Sequence, residues 1–181
     1  MTTRALTSER GFTLAELLIV VAILAFIMAG LFTLQQQGQT AYLIGASRVE
    51  VQQNARIALD SMMNDIRGAQ PNVAGSTQMI TAIDGACSAA GGTSVSFNDA
   101  SGTATTYALA GTELQKNGTP VIGGVQSLRI WCYDNQDQLN ATLGGIRVIR
   151  VQIQTQTERG GSGPGNQHAL AEGRVRLRNV N

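Results

Sequence analysis

The sequence predicts an α+β protein: one long N-terminal helix, membrane-spanning in its first half and amphipathic in its second, packed on an antiparallel β-sheet head. Three observations predict it. An uncharged apolar run extends from Leu17 to Leu34. Apolar residues then recur every three or four positions as far as Ala69. Beyond Pro71, glycine becomes frequent and short segments rich in β-formers alternate with turn signals.

The apolar run has 18 residues, and as a helix it covers roughly 27 Å, close to one hydrocarbon core. A short basic leader with Arg4 and Arg10 precedes it, which favours a cytoplasmic N-terminus and an extracytoplasmic remainder. The competing reading is a secretory signal peptide, with Ala29-Gly30 as a poor cleavage site. Against that stand the length of the run, an acidic residue at its start and the helical pattern that continues past the supposed cut. That acid, Glu16, is the fifth residue after Gly11. A carboxylate entering the bilayer unpaired costs at least about 2.5 kcal/mol, so something must compensate it.

The segment Gly11-Phe12-Thr13-Leu14-Ala15-Glu16 ahead of such a helix resembles the processing motif of the type IV pilin superfamily. The resemblance implies a type IV pilin-like fold and cutting between Gly11 and Phe12 by a prepilin peptidase, with N-methylation of Phe12. It divides the chain into a cleaved leader (1–11), a transmembrane and assembly helix (12–34), the amphipathic second half of that helix (35–70) and a β-rich head (71–181). It also gives Glu16 a partner, the N-terminal ammonium of Phe12 on a neighbouring subunit. Removing one member of a buried charge pair costs about 3–5 kcal/mol, so the pair would check register as a subunit leaves the bilayer. Retention of Glu16 implies a place below another subunit rather than at the extreme tip.

From Gln35 to Arg67 the composition turns polar while Val51, Ala55, Ala58, Met62, Ile66 and Ala69 form one apolar stripe. The stripe reads as core packing against a sheet. Arg56 and Asp60 are spaced for an (i, i+4) pair. Gly68 weakens the helix and Pro71 ends it; from Phe12 to Ala69 it would extend roughly 87 Å. Gly30, Gly38 and Gly45 interrupt good helix formers and permit close helix approach or bending. Many major pilins carry a kinking proline where this chain has Thr33, so local melting of the helix is not implied here.

Strands are expected over Thr93–Phe97, Thr105–Leu109, Val125–Tyr133, Ile146–Thr157 and Arg174–Val180. In the fourth, Ile149, Val151, Ile153 and Thr155 alternate with Arg150, Gln152, Gln154 and Gln156, giving one buried and one wet face. Gly160 to Gly165 read as a flexible connector. The stretch Arg56–Arg67 and the terminal Arg174–Asn179 are similar, more loosely, to PilW-type minor pilins and to J-type pseudopilins of type II secretion. No trusted motif lies between Pro71 and Gly124.

Function classes narrow accordingly. Formal net charge is +1, and removing a leader with Arg4, Glu9 and Arg10 leaves 11 basic and 11 acidic side chains, so no global charge argues for nucleic acid. No catalytic constellation is visible, and no cofactor is called for. His168 is the single histidine and reads as a solvated loop residue. Cys87 and Cys132 are an even count in an oxidising compartment if the topology holds, which favours a disulfide; a buried free thiol at Cys132, between Trp131 and Tyr133, is the alternative. Asp134, Asn135, Asp137 and Asn140 are a calcium candidate, but they lack the glycine and terminal glutamate of an EF-hand and read first as a polar turn. Arg174, Arg176 and Arg178 alternate with Val175 and Leu177. They read first as a solvated strand face, then as a contact for acidic residues of a neighbouring subunit, and last as a contact for DNA phosphates.

The resemblance therefore implies a non-catalytic filament subunit, a minor pilin at or near the tip of a type IV pilus serving motility, adhesion or DNA uptake. Its alternatives are a J-type pseudopilin and a pilus-borne DNA- or ligand-binding module. Implied partners are other pilins, minor pilins or pseudopilins, the prepilin peptidase, an inner-membrane assembly platform and, before assembly, the bilayer itself. The implied location is a single-pass inner-membrane protein with a periplasmic head, later part of a surface pilus or a periplasmic pseudopilus.

Overall fold

A computed structural model describes residues 11–71, 78–84, 87–140, 142–157 and 166–178. The chain divides into two compact units, Met1–Tyr42 and Leu43–Asn181. One helix, α1 (Leu14–Arg67), contributes to both. Eight strands follow: β1 (Ile80–Asp84), β2 (Ser94–Asn98), β3 (Ala104–Ala110), β4 (Glu113–Lys116), β5 (Thr119–Ile122), β6 (Val125–Tyr133), β7 (Val148–Gln156) and β8 (His168–Arg176). The α+β class stands, with one long helix packed on antiparallel sheet.

Within the first unit α1 is apolar on every side, and its large side chains from Leu17 to Leu34 are all exposed. Such a surface has no aqueous justification, and the segment is long enough to cross a membrane. At Thr33 the helix continues unbroken, and the hydroxyl donates back to the Ala29 carbonyl at 2.9 Å. A Cβ added at Gly30 or Gly38 would meet nothing within 4 Å.

In the second unit the helical stripe is the spine of the core. Val51, Ala55, Ala58, Met62 and Ile66 are buried, together with Ala69 just past the helix end. Met63 joins them, because a face wide enough to meet sheet takes in neighbouring positions as well. Arg56 and Asp60, by contrast, form no ion pair with each other, and both line the groove described below.

Among the described residues the head holds two antiparallel sheets, where one was expected. Strands β1 to β5 pair in chain order as a meander, and β6, β7 and β8 form a second sheet. Asn117-Gly118 joins β4 to β5 with φ of 52° and 78°, the pair of left-handed residues that a tight type I′ hairpin requires. The core lies where Phe97, Tyr107, Leu114, Leu128, Ile130 and Ile153 meet the helix stripe. The Phe97 and Tyr107 rings stack with centroids 6.4 Å apart.

Of the five expected strands, Val125–Tyr133 alone keeps its bounds, and β2 and β3 shift by one residue at each end. β7 begins at Val148 rather than Ile146, and β1, β4 and β5 went unanticipated. The expected end of the last strand, at Asn179 and Val180, lies outside the described residues. Among the described residues the last strand is His168–Arg176, starting six residues before the expected Arg174 and paired residue for residue with β7 from Gln156↔His168 to Val148↔Arg176. Its first half, His168-Ala169-Leu170-Ala171-Glu172-Gly173, holds almost no β-formers. A complete ladder to a central strand outweighs that weak local preference. His168 is therefore an exposed strand residue, not a loop residue. The connector Gly160–Gly165 lies outside the described residues, as do the leader through Arg10 and the terminal Asn179–Asn181.

Candidate functional site

Phe12 and Thr13 lie ahead of the helix, and Phe12 is 87% exposed. The two residues that flank the Gly11-Phe12 peptide bond are therefore exposed and lie outside the helix. Thr13 caps the helix. Its hydroxyl accepts the Glu16 backbone N–H at 3.2 Å, while the Glu16 carboxylate accepts the Thr13 backbone N–H at 2.9 Å and the Thr13 hydroxyl at 3.0 Å. This is a reciprocal capping box, which satisfies helix-end donors and fixes the carboxylate in one place. Sequence reasoning sought a partner for Glu16 in another subunit and missed the one three residues away. The spacing Thr-x-x-Glu before an apolar run was the available signal.

The head's own polar features are structural. Cys87 and Cys132 stand at disulfide-bonding distance, with Cα atoms 5.2 Å apart. The same short loop is held to β6 at two further points. Trp131 Nε1 donates to the Ala89 carbonyl at 3.1 Å, and Gly92 and Ile130 exchange backbone hydrogen bonds of 2.7 and 2.9 Å. Gly92 is required there, since a Cβ would lie 2.2 Å from the Asp84 carbonyl oxygen.

A second cluster clamps the helix to the five-stranded sheet. Asp65 Oδ2 accepts the Tyr107 hydroxyl and Lys116 Nζ, each at 2.6 Å. Ser61 Oγ lies 3.0 Å from the same hydroxyl. Burial first, and the bond to Asp65 second, hold the Tyr107 phenol above its ordinary pKa. Nothing in the sequence signalled this cluster, whose members are over forty positions apart.

The arginine stripe is only partly free. Arg174 is ion-paired with Asp137 and its guanidinium lies 5.5 Å over the Tyr133 ring. Arg176 donates to Asn135 Oδ1 at 3.2 Å. Asp134 Oδ1 accepts the backbone N–H groups of Gln136 and Gln138, and Asn140 Oδ1 that of Thr142. The oxygens proposed for calcium thus serve their own turn and two arginines. Next to them, Arg150 and Glu172 form a bidentate pair with two 2.8 Å bonds. The guanidinium holds the Glu172 carboxyl below the usual range.

The family comparison that finds a match concerns the chain's N-terminus. Residues 6–32 match the prokaryotic N-terminal methylation motif. The match covers the end of the leader, the Gly11-Phe12 junction, Glu16 and most of the apolar helix, and none of the head. It supports the type IV pilin superfamily, and with it processing by a prepilin peptidase and assembly with other pilins. Together, motif and fold speak for a membrane-anchored structural subunit rather than an enzyme. No curated protein and no solved structure matches the chain.

Proposed function

We propose that this chain is a minor pilin, a structural subunit in or near the tip of a type IV pilus that is needed to initiate or assemble the filament. The observation that carries this reading is Glu16 at the head of an exposed apolar helix, directly behind a processing motif. In the single chain the Thr13 donors hold the carboxylate. In a filament the ammonium of Phe12 on a neighbouring subunit takes their place or joins them, so the charge is compensated at each stage. The open space around Gly30 and Gly38 suits close approach of neighbouring helices. The head supports a structural role through two sheets tied to one helix, with Arg147, Arg150 and Arg174 held by internal partners.

The test is Glu16→Ala, scored by cleavage at Gly11-Phe12 and by recovery of the subunit in sheared filaments. Cleavage should proceed normally while incorporation drops sharply, as loss of a pair worth about 3–5 kcal/mol implies. Normal incorporation of the variant would refute the reading. The loose similarity of Arg56–Arg67 to J-type pseudopilins motivates the second reading, a secretion pseudopilus. Deleting the gene separates the two: loss of surface pili, twitching or DNA uptake with normal protein export supports the pilus. Loss of export with intact pili supports the pseudopilus.

A further inference from the structure

Strand β8 has an open edge. Among the described residues it pairs with β7 alone. The backbone bonds Thr157 N–H to the Gln167 carbonyl and Leu177 N–H to the Arg147 carbonyl fix the phase of that ladder. Odd-numbered residues of β8 turn their N–H and C=O groups to β7, and even-numbered ones turn theirs outward. The outward set therefore runs through Leu170, Glu172, Arg174 and Arg176 to Arg178 just past the strand end, and all five side chains are exposed. An unpaired row of this length is a template for another strand; proteins cover, break or charge such rows, and here the charge from Arg174 to Arg178 is of one sign, which repels a basic strand and admits an acidic one.

Beside this edge runs a groove whose other wall is α1. One stretch, about 570 Å³, lies between Ala169–Glu172 and a helix wall that includes Val49, Ala55 and Leu59. A second, about 430 Å³, is lined by Arg67, Arg174, Arg176 and Arg178 with Val175 and Leu177. The two differ in character: the first has an apolar floor and mixed charge at its rim, whereas the second is lined by four guanidiniums, of which Arg174 is neutralised by Asp137 while Arg67 and Arg176 are bonded only to the neutral Asn64 and Asn135. Gly173 lies at the strand's closest approach to the helix, where a Cβ would be 3.1 Å from Met63 Cε and 3.3 Å from Leu59.

We propose that the β8 edge is a docking surface for an extended segment of a neighbouring protein chain, added as a fourth strand, with apolar residues at its Leu170 end and acidic residues at its Arg178 end. Main-chain bonds to the outward groups supply affinity, and the arginines select the acidic segment and set its register. That the neighbour is a filament subunit rests on the assembly reading; the edge and its charge do not.

The experiment uses the full processed chain in detergent micelles and follows amide hydrogen exchange residue by residue. The probe is a synthetic peptide alternating valine and glutamate, matched to the 9 residues of β8, and the control replaces glutamate by lysine. The acidic peptide should slow exchange at Arg174 and Arg176 about fivefold to tenfold, the factor that one net hydrogen bond gives. Gly173 and Val175, already bonded to β7, should not change. Arg176→Pro removes an outward N–H without touching the β7 ladder and should abolish the effect. Arg176→Glu keeps the N–H and should shift preference towards the lysine peptide. Failure of the acidic peptide to slow the outward amides, or equal slowing by both peptides, overturns the proposal. Because no filament is involved, such a failure leaves the Glu16→Ala result, and hence the assembly reading, independent.

Discussion

Tyr107→Phe removes one oxygen from a fully buried ring and leaves the ring in place. The lost hydroxyl donates to Asp65 at 2.6 Å and touches Ser61 at 3.0 Å. A hydrogen bond to a charged acceptor contributes about 1.5–3 kcal/mol net. The Asp65 side chain is 28% exposed and keeps Lys116, so water and the ammonium partly replace the phenol. The cost therefore falls near the low end, about 1.5 kcal/mol. For a unit of this size 1 kcal/mol moves Tm by about 2–4 °C, so the variant head should melt about 3–6 °C lower near neutral pH. Calorimetry of the full chain in detergent reads this directly.

The same substitution has a pH signature. A phenol whose folded pKa is raised contributes stability that is fully present below the unfolded pKa, about 10. That contribution is lost as pH rises from there towards the folded value. Wild type should lose stability above about pH 10, while Tyr107→Phe lacks this component, so the gap between them narrows. Combining it with Asp65→Ala should give a non-additivity of about 1 kcal/mol, as expected for groups in one network. Equal melting temperatures to within about 1 °C, with parallel pH profiles, would refute the clamp.

Four further outcomes are expected. With Cys87 and Cys132 bridged in the exported protein, reduction or Cys87→Ser with Cys132→Ser should lower head stability by about 2–4 kcal/mol; identical denaturant midpoints with and without reductant would contradict the bridge. Gly92→Ala drives a Cβ to 2.2 Å from a carbonyl oxygen and should cost more than about 2 kcal/mol, whereas Met62→Ala, which empties a fully buried site, should cost about 2–5 kcal/mol. Thr13→Ala removes the hydroxyl of the helix cap and should weaken the helix start by about 1 kcal/mol, seen as faster amide exchange at Leu14 to Leu17; unchanged exchange would show that the capping box contributes nothing.

The long helix was legible because its evidence is periodic and local. An apolar run of spanning length needs no partner to be recognised, and the stripe from Val51 to Ala69 repeats the helix's own pitch. The alternation in β7 was legible for the same reason. Less visible were β4 and β5, although Asn117-Gly118 is a strong hairpin signal that polar flanks concealed. The first half of β8 gave no local signal at all: His168 to Gly173 is strand because β7 lies beside it.

Alone, then, the sequence determined the long apolar helix, the N-terminal methylation motif that contains Glu16 and the α+β class, since each rests on composition, spacing or period along the chain. Tertiary structure decided the rest. It split the strands into two sheets and joined Asp65 to Tyr107 and Lys116. It gave Arg174 and Arg176 partners in the Asp134–Asp137 turn, and among the described residues it left the outer edge of β8 unpaired. Those contacts join residues distant in sequence, and their closure entropy is met only when the whole core forms. No stretch of the chain read by itself carries them.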